Sequence, residues 1–407
     1  MDNKRKQKIL IIGIIMNCAG TEKSFLSFAG CLDYDKYDVD LILAKKEGLL
    51  FEMIPKQINV LEMNEYGEMF LMSNKNGAKM LIDCFIKRKF SAVFDIIPFF
   101  IQTLFKPSEK SFIGGRMWNK LMNKYIAPLD KEYDAAVAYW GDRTMFYMID
   151  KVKARKKITW LHFDYNNPPR DNELFLNYFK QCDKIVTVSE TIDRELKKTL
   201  PEIAGKCTVV ENINNPEMIR DAALKGDTFA DRYFKGKRLL SIMRISKQKG
   251  IEFIPQVMAK LLKDGYDIRW YILGDGDAED KYALIEDAFR YEIADKLLLL
   301  GTTANPYSYL RDCDIFVLPS LYEGKPVTVE EAKIMYKPIV VTNYTAAEEQ
   351  LCAGRYGIIT ETSADGVYNG IKRMLDDEKS RDGFTLTLAK MNFGNTEEIN
   401  KFYGMIE

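Results

Sequence analysis

The sequence has one histidine, His162, and no two cysteines at the C-x-x-C spacing. Its seven cysteines (Cys18, Cys31, Cys84, Cys182, Cys207, Cys313 and Cys352) are odd in number and scattered. That usage argues against a disulfide framework and against a cysteine zinc site, and it fits a reducing cytoplasm. Net charge is missing as well, with 59 basic residues balanced by 59 acidic ones. Nucleic-acid binders usually carry a basic surface, so nucleic acid is not an expected partner. No apolar run reaches the ~18 to 20 residues needed to cross a bilayer. In the opening "MDNKRKQKILIIGIIMNCAG" the run extends only from Ile9 to Met16 and then meets turn chemistry, so it reads as a buried first strand rather than a signal peptide. A soluble or membrane-peripheral protein is expected. Low-complexity segments and short internal repeats are also absent.

The 407 residues suit two domains of about 200 residues each. Short apolar runs bounded by turn residues recur in the first half: "KILIIGII", "DVDLILA", "DAAVAYW", "KKITWLH", "KIVTVSE" and "CTVVEN". In the second half they are "RLLSIMRIS", "RWYILGDG", "KLLLLGT", "DIFVLPS", "KPIVVTN" and "YGIIT". Continuous apolar strands belong to sheets covered on both faces, and helical segments such as Ile251 to Leu262 and Glu279 to Tyr291 fill the gaps. The expectation is two doubly wound α/β domains facing across a cleft: residues 1–215, a polar linker 216–236, residues 237–390, and a terminal helix in 391–407 returning to the first domain. Ligands of open α/β sheets collect at the carboxyl ends of the strands, so the loops after these runs are where function is sought.

The loop after "DIFVLPS" begins "SLYEGKPVTVEEAKIM". Pro326 suits a helix start, which predicts a helix to about Met335 with Glu331 facing the sheet beside Val327, Ile334 and Met335, and Glu330 facing away. Glu323 lies in the preceding loop. Between the two acids, the backbone N–H groups of Lys325, Val327 and Thr328 offer an anion site. Two acids flanking such a site suit a ligand with hydroxyls at both ends and phosphate in the middle. The plainer reading is a solvated loop acid and a helix salt-bridge residue. In "MRISKQKG", Arg244 and Lys249 stand where a diphosphate could be gripped by a planar fork and a point charge, or are simply solvated. Gly20 allows close backbone approach in "MNCAGTEKS", and Gly274 opens "GDGDAED" after a strand. Neither is the G-x-G-x-x-G of dinucleotide binding, which disfavours an NAD-dependent oxidoreductase. His162 sits at the carboxyl end of its strand and has no serine or cysteine partner marking it as a triad base; it reads as a hydrogen-bonding residue or as a structural one. The stretch 86–124 carries eight basic residues (Lys87, Arg88, Lys89, Lys106, Lys110, Arg116, Lys120, Lys124) against Asp95 and Glu109, interleaved with "FDIIPFFIQTLF" and Trp118. It suits an anionic membrane surface, or equally a helical excursion whose apolar face is core.

Glu323 and Glu331, with seven residues between them, stand after Pro319-Ser320 and before "KPIVVTN"; with "NCAGTEKS", "KKITWLHFDY", "VTVSE", "VVENINNP", "MRISKQKG" and "LGDGDAE" in that order, the chain resembles the GT-B-fold retaining glycosyltransferases of family 4 over nearly its whole length. The resemblance implies that Arg244 and Lys249 hold a donor diphosphate, that Glu331 binds ribose hydroxyls, and that Glu323 meets the transferred sugar. Gly20, Gly274, Gly324, Lys325, Pro326, Val327 and Thr328 would line the donor, and His162 would approach the sugar from the other domain. It further implies a nucleotide diphosphate sugar as donor substrate, a glycan or polyprenyl-linked acceptor, no cofactor and no metal; no DxD motif stands out where one would be expected. Two departures concern geometry rather than charge: the family's glycine pair reads Ala19-Gly20, and its glycine before the arginine is Met243. A sugar phosphorylase, a nucleotide-sugar epimerase and a non-catalytic sugar-nucleotide-binding subunit are the rivals. A pyridoxal-phosphate phosphorylase would need a cofactor-lysine motif that is not found.

Overall fold

The computed structural model describes residues 5–71, 93–99 and 113–407. The chain divides into two compact units: Met1–Asn17, Phe28–Glu211 and Glu398–Glu407 form unit one, and Cys18–Ser27 with Asn212–Glu397 form unit two.

Unit one is built on a parallel sheet of β1 (Gln7–Ile12), β2 (Tyr37–Leu43), β3 (Asn59–Glu62), β4 (Leu129–Ala138), β5 (Val152–Leu161), β6 (Lys184–Thr187) and β7 (Cys207–Val209), in the order β3-β2-β1-β4-β5-β6-β7. The central strands are apolar on both faces, as a sheet covered by helices requires: Ile9 to Ile12 are fully buried, and Ile9 registers with Val39 on one side and Ala135 on the other. Helix α1 (Gly20–Gly30) straddles the division between the units, while α2 (Asp142–Lys151), α3 (Asn172–Phe179) and α4 (Glu190–Thr199) belong to unit one. Asp171 and Ser189 cap α3 and α4 by accepting from the N–H groups of Leu174 (3.0 Å) and Ile192 (3.1 Å). Strand β3 has no counterpart in the sequence reading. It is a four-residue edge strand whose side chains are only partly covered, so it leaves no apolar run to find.

Unit two carries α5 (Pro216–Ala223), β8 (Lys237–Ile242), α6 (Phe253–Lys263), β9 (Ile268–Leu273), α7 (Ala278–Arg290), β10 (Leu297–Gly301), α8 (Tyr307–Asp312), β11 (Ile315–Leu318), α9 (Val327–Ile334), β12 (Ile339–Thr342), β13 (Ile358–Thr360), α10 (Ala364–Asp376) and α11 (Glu378–Ala389). Its parallel sheet runs β10-β9-β8-β11-β12-β13, so the strand order reverses between β8 and β11. The segment read as a linker holds α5, capped by Asn215 with Pro216 in the first turn. Its Arg220 donates to the Ile334 carbonyl (3.4 Å) and lies over the Tyr336 ring, tying α5 to the end of α9. With only Ile219 and Ala223 buried, α5 gives too little apolar periodicity to be read from sequence. The last helix, α12 (Ile399–Ile406), belongs to unit one, where Phe402 meets Phe28 edge-on at 5.0 Å and Tyr403 stacks on Tyr37 at 5.1 Å.

Of the basic and aromatic stretch, Lys87, Arg88, Lys89, Lys106 and Lys110 lie outside the described residues. Trp118, grouped with the interfacial residues on sequence grounds, is instead fully buried in the core of unit one with its indole N–H on Asp150 (2.6 Å), and Lys124 pairs with Asp95 at 2.6 Å.

Candidate functional site

The reversal of strand order between β8 and β11 places two loops side by side, 243–252 after β8 and 319–326 after β11. Open α/β sheets take ligands at such a point. The loops are locked together through the backbone: Leu321 N–H donates to the Gln248 carbonyl at 2.8 Å, and the Gln248 side chain donates to the Tyr322 carbonyl at 3.1 Å. Gly250 makes this possible. It adopts φ +67°, and a Cβ there would collide with the Pro319 carbonyl.

Within the pair of loops, Lys249 forms an ion pair with Glu323 Oε1, and Ser320 Oγ donates to the same oxygen at 2.7 Å. Glu323 is buried, and with Lys249 mostly covered the pair is screened by solvent and salt far less than a surface salt bridge. Arg244 is exposed, its guanidinium donating to Gln248 Oε1 at 3.2 Å. Gly274, at the end of β9, has φ +147° and packs where a Cβ would meet the Met243 carbonyl, so β9 comes close to the arginine's own backbone.

Helix α9 starts at Val327 after Pro326, whose side chain makes no cap hydrogen bond. The first N–H groups of a helix point out along its axis, and the helix dipole favours an anion there. Gly324 is buried in the approach, Lys325 is held 3.8 Å from Glu349, and Thr328 is half-buried. Gly20 lies opposite: a Cβ added to it would meet Val327 Cγ2 at 3.8 Å.

One turn further along α9, Glu331 is 1% exposed. Lys23 of α1 reaches both its oxygens, at 3.2 and 3.4 Å, and the Tyr307 hydroxyl donates to Oε1 at 3.0 Å. Burial, reinforced by the Glu331 charge, pushes the Tyr307 hydroxyl well above its ordinary pKa, so it remains a proton donor. Burial likewise raises the Cys18 thiol, which donates to the Thr303 carbonyl at 3.0 Å.

Glu330 corrects the helical-face reading. It is buried rather than facing away, paired with Lys333 at 2.7 Å and with the Gln350 side chain at 2.9 Å. The face argument assumes a helix covered on one side, whereas Val329 through Ile334 are all buried and α9 is covered all round. Burial alone would raise the Glu330 pKa, but Lys333 and Lys325 outweigh it and hold the carboxyl below its ordinary value.

His162 lies in unit one just past β5, half-buried, stacked parallel to Trp160 at 6.1 Å and tilted on Tyr139 at 4.6 Å. Among the described residues no group of three or more histidine, cysteine, aspartate or glutamate side chains is placed to hold a metal ion. Lys23, Tyr307, Ser320 and Gln248 are the site residues that sequence reasoning missed. Lys23 lay within the quoted "NCAGTEKS"; its signal was a cation in the first turn of a helix, against the dipole. Tyr307 and Gln248 had no local signal.

Two doubly wound parallel-sheet units, the second with an ion-paired loop cluster at its switch point, define the GT-B architecture. Anabaena HepE in complex with UDP shares it over 98% of each chain at TM-score 0.66 and 15% identity, and Staphylococcus aureus TarM over 98% of this chain and all of its own at TM-score 0.67 and 12% identity. Residues 230–386 match the family described as Glycosyl transferases group 1. A Campylobacter jejuni relative, N-acetylgalactosamine-N,N'-diacetylbacillosaminyl-diphospho-undecaprenol 4-alpha-N-acetylgalactosaminyltransferase, is 29% identical over 209 residues, 51% of this chain and 54% of its own. The capsular polysaccharide biosynthesis glycosyltransferase CapM of Staphylococcus aureus is 25% identical over 207 residues, 49% and 53% of the two chains. The chain thus spans about half the length of these curated relatives.

Proposed function

We propose that the protein is a retaining, metal-independent glycosyltransferase that moves a hexose-type sugar from a UDP- or GDP-linked donor to a hydroxyl of a glycan or lipid-linked acceptor in polysaccharide assembly. The observation that carries this reading is the Lys249–Glu323 pair beside the uncapped start of α9. An anion arriving there meets helix N–H groups, Lys249 and the exposed Arg244, and a diphosphate leaving group needs such donors to take up its developing charge. In this account the diphosphate draws Lys249 from Glu323, freeing that carboxylate for a sugar hydroxyl, while Glu331 accepts from the ribose. The acceptor hydroxyl attacks from the face the leaving group departs, and the leaving phosphate takes its proton. His162 is assigned to the sugar. The Campylobacter relative's name specifies a diphospho-undecaprenol acceptor, which supports a lipid-linked acceptor here.

Thermal-shift screening with UDP, GDP and their sugars tests the donor. A ligand binding only the folded state at a hundred times its Kd adds about 2.7 kcal/mol of stability, and the correct nucleotide is expected to stand out by several degrees. No shift with any of them would count against the reading. Peripheral membrane contact through 86–124 is a further proposal, checked by salt-sensitive binding to anionic liposomes.

A further inference from the structure

Lys23 is placed where a lysine is costly unless it has a task. It sits in the first turn of α1, at the positive end of the helix dipole, with only 10% of its side chain exposed. The backbone on either side of it is pinned. Cys18 is tied to the Thr303 carbonyl in the loop that leads to Tyr307, and Ser24 Oγ donates to Asn212 Oδ1 at 2.7 Å. Lys23 and Tyr307 are themselves in contact, the ammonium lying 5.4 Å from the ring centroid. Both converge on Glu331. Oε1 receives Tyr307 at 3.0 Å and Lys23 at 3.2 Å, which fills its two lone pairs; Oε2 receives only the longer arm of Lys23, at 3.4 Å, among the described residues.

We propose that Lys23 is a positioning residue for Glu331: with Tyr307 it saturates Oε1, fixes the orientation of the buried carboxylate, and presents Oε2 as the acceptor for one ribose hydroxyl of a nucleoside diphosphate. Without the ammonium the buried carboxylate loses the contact that fixes its orientation, and Oε1 is no longer filled, so the two oxygens compete for the hydroxyl. The asymmetry has a consequence: one of the two ribose hydroxyls matters more than the other, because only one oxygen of Glu331 is open. The proposal rests on the reading of Glu331 as the ribose contact.

Calorimetric titration of wild type and Lys23→Met with UDP, 2′-deoxy-UDP and 3′-deoxy-UDP, or the guanine set if thermal shift selects GDP, separates the two. Wild type is expected to bind one deoxy analogue about 10-fold more weakly than the parent, as loss of a hydrogen bond to a charged group implies, and to be much less affected by the other. Lys23→Met should bind the parent about 10-fold more weakly and distinguish it from either analogue by less than about 2-fold, while Lys23→Arg keeps the distinction. A salt bridge serving stability alone would lower the melting temperature and leave the distinction intact; that result overturns the role given to Lys23 while leaving the ribose reading standing. If wild type does not distinguish the analogues at all, the ribose reading falls and the proposal with it. Should Lys23→Met not fold, Tyr307→Phe takes its place: the distinction must shrink at least about 3-fold, and an unchanged ratio overturns the proposal.

Discussion

The two sheets share one winding, with three strands ordered backwards before the switch and the rest forwards after it, yet their carboxyl edges are built from different materials. In unit two the edge is ionic: Lys249 with Glu323, Lys23 with Glu331, and Arg244 held ready on Gln248. In unit one, His162 follows β5 against the rings of Trp160 and Tyr139, and the ion pair in the neighbouring loops, Arg170 with Asp142, is long at 3.6 Å. The difference suits the proposed division of labour. Buried, paired charges suit a ligand that brings charge of its own, because it can exchange partners with them; aromatic walls and a single imidazole suit neutral hydroxyls, for which shape and one hydrogen bond suffice.

Glu331→Ala attacks the ionic edge most directly. It removes the ribose acceptor and leaves Lys23 buried beside Tyr307 with no counter-charge, so nucleoside diphosphate affinity is expected to fall about 100-fold by calorimetry. Next comes Gly250→Ala. A side chain at φ +67° pressed against Pro319 should cost roughly 1 to 3 kcal/mol in denaturant unfolding and separate the two loops, weakening nucleotide binding as well. His162→Ala is the test of the other edge: transfer should drop about 10-fold while UDP or GDP affinity stays within about 2-fold, and an equal loss of both would erase the proposed division. The smallest effect on nucleotide binding is expected from Glu330→Gln, whose carboxylate is paired with Lys333 and Gln350. Glu330 has a folded pKa below its unfolded one, so it contributes stability above the unfolded value, near pH 4.5, and loses it as the pH falls further. The variant should show a shallower decline in melting temperature between pH 5 and 3 than wild type.

Much of this was legible in the sequence, for physical reasons that differ by element. Strands such as β1 and β8 are buried on both faces and so write themselves as apolar runs, whereas β3 and α5 bury too little to do so. Glu323 and Lys249 could be placed at the ligand edge because each follows a readable strand. Their pairing could not, since it depends on two loops 74 residues apart meeting through Gln248 and Gly250. The sequence reads Glu331 as inward and leaves open whether a ligand or a salt bridge satisfies it; the observed partner, Lys23, lies 308 residues away, and no local pattern links them. Glu330 was misread because periodicity describes one covered face, and α9 has cover on all of them.

The central claim is that unit two grips a nucleoside diphosphate through Lys249. Titrating wild type and Lys249→Ala with UDP and GDP under the same salt, with melting curves to verify that both are folded, puts it to the test. The account predicts saturable binding of one nucleotide by wild type and at least about 100-fold weaker binding by the variant. A folded Lys249→Ala protein that binds that nucleotide as tightly as wild type would contradict it.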